Sequence, residues 1–169
     1  MTTEEGKYKM REFSDEHMDK LFEKFVLEYY KKHHPETKAK AIPIRWNVIE
    51  EATDMSVLPI MKTDILLSCG ERTLIIDTKY YTKIMHEHFG KEKLRGDHFY
   101  QIYTYVTQYD RDHHYNVDGM LLYAKTQKDI VDDYKFPLLD GYSIYIRTLD
   151  LNTNFETIKK RLESFVEKK

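Results

Sequence analysis

The sequence predicts an α/β arrangement, a mixed central sheet flanked by helices, and three patterns lead to it. Two β-rich apolar runs, 60–68 and 73–81, are joined by Cys69-Gly70-Glu71-Arg72, a short glycine-containing link of the kind that closes hairpins. Two further strand-like runs follow at 117–126 and 142–151. Stretches with apolar residues at helical spacing stand before, between and after the strands. At 169 residues, 41% hydrophobic and 14% aromatic, the chain suits one domain over 14–169 with a sizeable core; the polar segment 1–13 is expected to fray.

Taken in order, Ser14 followed by Asp15-Glu16 marks a helix start, and Met18, Leu21, Phe22, Phe25, Val26 and Tyr29 form its apolar stripe up to Pro35. Glu23 falls on a flank continuous with that stripe, whereas Lys20, Lys24 and Lys31 group on the far side. Glu23 is therefore a carboxylate at a buried edge, or one paired within the helix with Lys20. The stretch 38–50 alternates as a strand, with Pro43 placing it at an edge or a strand start, and Trp46 belongs to the core. A loop, 51–59, leads into the hairpin.

If the turn centres between Gly70 and Glu71, partner numbers sum to 141. Leu66 then faces Ile75 and Asp64 faces Asp77, with Cβ atoms about 4.5–5.5 Å apart, and Lys79 shares that face two residues on. The segment 82–96 reads as a loop rich in charge and histidine. Asp97 is placed to cap a helix over 98–109, whose inner face is Ile102, Tyr105, Val106 and Tyr109. Gln101 and Tyr105 are one turn apart, able to reach the same phosphate or simply to pack. After the strands at 117–126 and 142–151, Asn154 caps a last helix, 155–166.

Opposed carboxylates repel unless a proton or cation lies between them, so Asp64 and Asp77 ask for a cation. Asp oxygens suit Mg²⁺, with Mn²⁺ able to substitute, and such ions bind through one or two carboxylates plus substrate phosphate. A lysine on the same face can hold an attacking water or steady charge on a phosphate. Lys83, Lys91, Lys93 and Arg95 make the following loop modestly basic, as a phosphate contact or as a solvated surface.

Asp64 followed by Asp77-Thr78-Lys79 resembles the Asp…Asp-x-Lys core of the PD-(D/E)xK nuclease superfamily. Thr-Asp-Ile-Leu-Leu, Leu-Ile-Ile-Asp-Thr-Lys-Tyr-Tyr, Tyr-Gln-Ile-Tyr-Thr-Tyr and the earlier Met-Asp-Lys-Leu-Phe-Glu-Lys-Phe-Val resemble one family within it more closely. That family is McrC, the nuclease subunit of 5-methylcytosine-specific restriction systems, and the resemblance runs from Met18 to Leu149. It implies a restriction-endonuclease-like core and a Mg²⁺-dependent DNA endonuclease. Asp64, Asp77 and the Thr78 carbonyl would hold the metal, Lys79 would orient the water, and Glu23 would lie near the metal. Gln101 and Tyr105, as a Gln-x-x-x-Tyr motif, would position the substrate. The implied partners are DNA, methylated DNA included, and a GTP-hydrolysing McrB-like AAA+ motor or a second copy of the chain. The sequence departs from the superfamily pattern at Thr63, where the name has proline. It matches only the C-terminal half of McrC proteins, so it is expected to be a fragment or truncated relative, or to act without the motor. The competing reading is a non-cleaving domain that keeps the fold and binds DNA or the motor.

Composition bounds the alternatives. A formal net charge of −2 is not the basic footprint of a strong nucleic-acid binder. No apolar run reaches the roughly 20 residues that span a bilayer, so no membrane association and a cytoplasmic location are expected. The single Cys69 excludes an internal disulfide. The paired histidines at 33–34 and 113–114, with His86 and His88, lack zinc-site spacing and read as surface or structural residues. No P-loop motif occurs.

Overall fold

Residues 15–80, 85–88, 91–125 and 133–167 are described in the computed structural model. Helix α1 is Asp15–His33, β1 Pro43–Ile44, β2 Met61–Lys62, β3 Ile65–Cys69 and β4 Arg72–Lys79. Then come β5 Met85–His88, β6 Lys91–Leu94, α2 Gly96–Tyr109, β7 Val117–Lys125, β8 Tyr134–Pro137, β9 Ser143–Asp150 and α3 Phe155–Val166.

The β3–β4 hairpin forms in the expected register, with Leu66 opposite Ile75 and Ile65 opposite Ile76. Its two-residue turn places the positive φ of 68° on Gly70, the first turn position, where a type II′ hairpin turn asks for glycine. From this hairpin a five-stranded sheet grows in the order β3-β4-β7-β9-β8. The β4–β7 and β7–β9 pairs are parallel, the two outer pairs antiparallel. The parallel strands β4 and β7 are the most deeply buried, since helices cover both faces.

On one face, Phe22, Val26, Tyr29 and Tyr30 of α1 and Ile158 and Leu162 of α3 pack on Ile65, Leu67, Leu74, Ile76, Met120 and Leu122. On the other, Ile102, Tyr105 and Val106 of α2 meet Leu66, Ile75, Leu121, Tyr123, Ile144 and Ile146. The alternation of Ile144 and Ile146 with Tyr145 and Arg147 thus divides β9 between two layers. Helix α3 matches its expected span, and Asn154 caps it by accepting from Thr157 N at 3.0 Å. Among the described residues, no helix is long and apolar enough to cross a membrane.

Several expectations are corrected. The strand at 38–50 shrinks to Pro43–Ile44, paired with β2, because Pro43 supplies no ladder N–H and the chain beyond turns through short 3₁₀ segments. Trp46 lies at the rim of the α2-side core, its Nε1 donating to Pro59 O at 2.8 Å. The loop at 82–96 contains the antiparallel ribbon β5–β6. Strand β8, which sequence reading left unassigned, completes the sheet edge. Leu21 is 51% exposed, since the buried stripe of α1 runs instead through Tyr30. Arg95 occupies the N-cap of α2, and Asp97, already inside the helix, does not cap it. The fraying segment 1–13 and Ser14 lie outside the described residues.

Candidate active site

The β3–β4 ladder stops at the Ile65–Ile76 pair, whereas β4 runs on beside β7 as far as Lys79 opposite Tyr123. Asp64 sits just before β3 and Asp77 just past the last antiparallel pair, so both reach the carboxyl end of β4. Asp64 Oδ2 accepts from the Thr78 amide N–H at 2.7 Å and from the Thr78 hydroxyl at 2.9 Å. The Thr78 carbonyl opens on the same strand edge as its N–H, because both backbone groups of one strand residue point the same way.

Asp77 is only 2% exposed. Lys79 Nζ stands 2.6 Å from its Oδ2 as an ion pair. Burial pushes the Asp77 carboxyl far above the ordinary carboxylate range; Lys79 pulls it back and Asp64 pushes it further up. Asp64 is raised by burial as well, against the two Thr78 hydrogen bonds. Lys79, 8% exposed, also donates to Gln101 Oε1 at 2.9 Å, and Gln101 Nε2 donates to the Tyr105 hydroxyl at 2.8 Å. A continuous polar relay therefore joins Asp77, Lys79, Gln101 and Tyr105. Burial keeps the Tyr105 hydroxyl protonated, with Asp77 and Asp64 adding to that effect.

Glu23 lies half-buried on α1. Its pKa is raised by burial and then by Asp64, which places the two carboxyls in each other's field. The alternative pairing with Lys20 is not adopted, since Lys20 holds Glu16 at 3.0 Å. Arg95 forks onto Asp97. Lys83 lies outside the described residues, as do the side chains of Lys91 and Lys93.

Two neighbours escaped the sequence reading. Asp19, one turn before Glu23 on α1, accepts from the Tyr80 amide N–H at 2.9 Å; its i, i+4 spacing to Glu23 is the signal that could have found it. His98, 4% exposed at the start of α2, shares a 2.7 Å hydrogen bond with Tyr123, the strand neighbour of Lys79. Burial, then the charge of Lys79, pushes the imidazole down to about 4, so it is neutral.

Among the described residues no three His, Cys, Asp or Glu side chains gather as a complete metal cage. A Mg²⁺ site does not need one, because two carboxylates, a backbone carbonyl, water and substrate phosphate suffice. The fit is chemical: Asp64 and Asp77 meet at one strand end, and burial leaves both carboxyls in surroundings that favour a bound proton or cation.

Residues 16–124 match the family model for the McrBC 5-methylcytosine restriction system component. The chain is 26% identical over 160 residues to the Type IV methyl-directed restriction enzyme EcoKMcrBC of Escherichia coli (strain K12). That alignment takes in 93% of this chain and 45% of that protein, so the chain spans about half the length of the curated relative it matches. Among solved structures it resembles a chain in a refined half-complex from the tetradecameric assembly of Thermococcus gammatolerans McrB AAA+ hexamers with bound McrC. The TM-score is 0.56 at 16% identity, over 89% of this chain and 34% of that one, a likeness of fold alone.

Proposed function

The chain belongs to the McrBC 5-methylcytosine restriction system component family, and on that premise we propose that it is a metal-dependent DNA endonuclease domain with a PD-(D/E)xK core. The observation that carries this reading is the convergence of Asp64, Asp77, Lys79 and Gln101 at the buried carboxyl end of β4. A module that only binds has no need to bury two carboxyls at one strand end, since burying charge costs stability.

In this reading Asp64, Asp77 and the Thr78 carbonyl hold Mg²⁺, or Mn²⁺ in its place. Bound there, the cation supplies Lewis-acid polarisation of a phosphoryl oxygen. Lys79, fixed between Asp77 and Gln101, orients the attacking water and steadies charge as it develops on the phosphate. Gln101 sets the position of the Lys79 amine, and the protonated Tyr105 hydroxyl donates to a substrate phosphate oxygen. Glu23 completes the acidic surroundings from α1. The substrate is DNA, methylated DNA included, acted on in the cytoplasm, and a McrB-like AAA+ motor or a second copy of the chain is the partner.

The test is a pair of measurements on wild type and Asp77→Ala. Calorimetric titration should show Mn²⁺ binding by wild type and its loss in the variant. Metal-dependent cleavage of DNA should disappear while the far-UV circular dichroism spectrum is kept. An Asp77→Ala protein that cuts as fast as wild type refutes the assignment. Failure of wild type to bind Mn²⁺, with no change on Asp64→Asn, favours the non-cleaving alternative.

A further inference from the structure

Among the described residues, no strand lies beside the edge of β4 that faced β3 once the ladder ends at Ile76. The N–H groups of Thr78 and Tyr80, alternate residues that share this edge, would be left without ladder partners. Both are taken by side chains instead: Asp64 receives Thr78 N at 2.7 Å, and Asp19 receives Tyr80 N at 2.9 Å. Helix α1 adds a second hold, because the buried Phe22, three residues after Asp19, meets the Tyr80 ring edge-on at a centroid distance of 6.3 Å.

We propose that Asp19 is a positioning residue that stands in for the missing edge strand and fixes the carboxyl end of β4, and through it Lys79. Lys79 immediately precedes the clamped residue, and its amine reaches both Asp77 and Gln101 only while that end of the strand keeps its place. The hold is by hydrogen bond, so an acceptor oxygen is required at residue 19 and a negative charge is not. The catalytic consequence rests on the nuclease reading; the clamp itself does not.

Two variants of the whole chain separate these statements, Asp19→Ala without an acceptor and Asp19→Asn with one. In metal-free protein, amide hydrogen exchange at Tyr80 should quicken by roughly tenfold or more in Asp19→Ala. It should stay close to wild type in Asp19→Asn, and Ile75 and Ile76 should be unaffected in both. With Mg²⁺ and DNA, kcat of Asp19→Ala should fall by roughly ten- to a hundredfold at unchanged KM, the scale of a small misplacement of a catalytic group. Asp19→Asn should restore most of it. Undiminished protection of Tyr80 in Asp19→Ala overturns the clamp. So does an Asp19→Asn protein as impaired as Asp19→Ala, which would assign the role to charge. If wild type cleaves no DNA, the nuclease reading fails while amide exchange still decides for or against the clamp.

Discussion

His98 is a basic side chain kept neutral inside the α2 face of the sheet, beside Tyr123 and within the field of Lys79. Its pKa of about 4 in the fold lies below the ordinary histidine value, so between roughly pH 6.5 and pH 4 the unfolded chain binds a proton that the folded chain refuses. Stability from this residue is therefore complete above about pH 6.5 and is lost as pH falls through that window, by up to about 3 kcal/mol. His98→Gln, which cannot titrate, should show a flatter fall in Tm between pH 7 and pH 4 than wild type. Parallel pH profiles for the two proteins would show that His98 is not held neutral. The same neutrality serves the site, since an imidazolium there would repel Lys79 and draw on the acidic field that keeps the amine beside Asp77. Nothing in the local sequence around His98 announces this. Its burial depends on where β7 places Tyr123, a contact across 25 positions of chain.

At the scale of elements, the site depends on how closely α2 lies on the sheet, because that helix carries His98, Gln101 and Tyr105. Gly119 on β7 permits the approach: a Cβ there would meet Ile102 Cγ1 at 2.8 Å, Ile144 Cδ1 at 2.9 Å and Val106 Cγ2 at 2.9 Å. Gly119→Ala must push α2 outward or force these side chains off their rotamers, at a cost of about 1–3 kcal/mol. Tm should drop by roughly 2–12 °C in a chain of this length. Cleavage should suffer more than global stability suggests, because the shift moves Gln101 away from Lys79. A stable Gly119→Ala protein with unchanged kcat would show that α2 need not sit so close. The hairpin was legible from sequence because a glycine turn and a strict two-residue period fix its register together, and that register carried Asp64, Asp77 and Lys79 to one strand end. Helix α3 was legible through its Asn154 cap. Strands β5, β6 and β8 were not, since four-residue polar or mixed runs carry too little apolar alternation and become strands only through pairing. Asp19 was missed for a related reason: its partner is a backbone N–H that becomes available only where β3 ends.

Across the whole molecule, the proposed function asks how a chain of net charge −2 would hold a polyanion. Non-specific affinity for DNA comes mainly from cations that neutralise phosphates, and log affinity falls linearly with log salt according to their number. Several of the described arginines are committed elsewhere. Arg95 forks onto Asp97, Arg72 onto Asp118 at 2.8 and 2.6 Å, and Arg147 gives its guanidinium to Tyr134 O at 2.7 Å with Asp133 at 3.8 Å. An open groove of about 800 Å³, lined by Arg72, Lys135, Tyr145, Arg147 and Phe165, lies at the hairpin-turn end of the sheet. It is no part of the site, because Arg72 begins β4 and Lys79 ends it, some 23 Å apart along an extended strand. For the proposed function, a net charge of −2 suits a domain whose grip on DNA would be supplied from outside, by an AAA+ motor or by a second copy that also brings the second cut. The lone chain should therefore bind DNA weakly, with log affinity falling only shallowly against log salt because few phosphates are neutralised, and should nick plasmid slowly in Mg²⁺ at near-physiological ionic strength. Adding a GTP-hydrolysing McrB-like partner should raise the rate and convert nicks to double-strand breaks. Efficient double-strand cleavage by the purified monomer alone would refute this dependence, because it would require the lone chain to supply the whole phosphate grip itself.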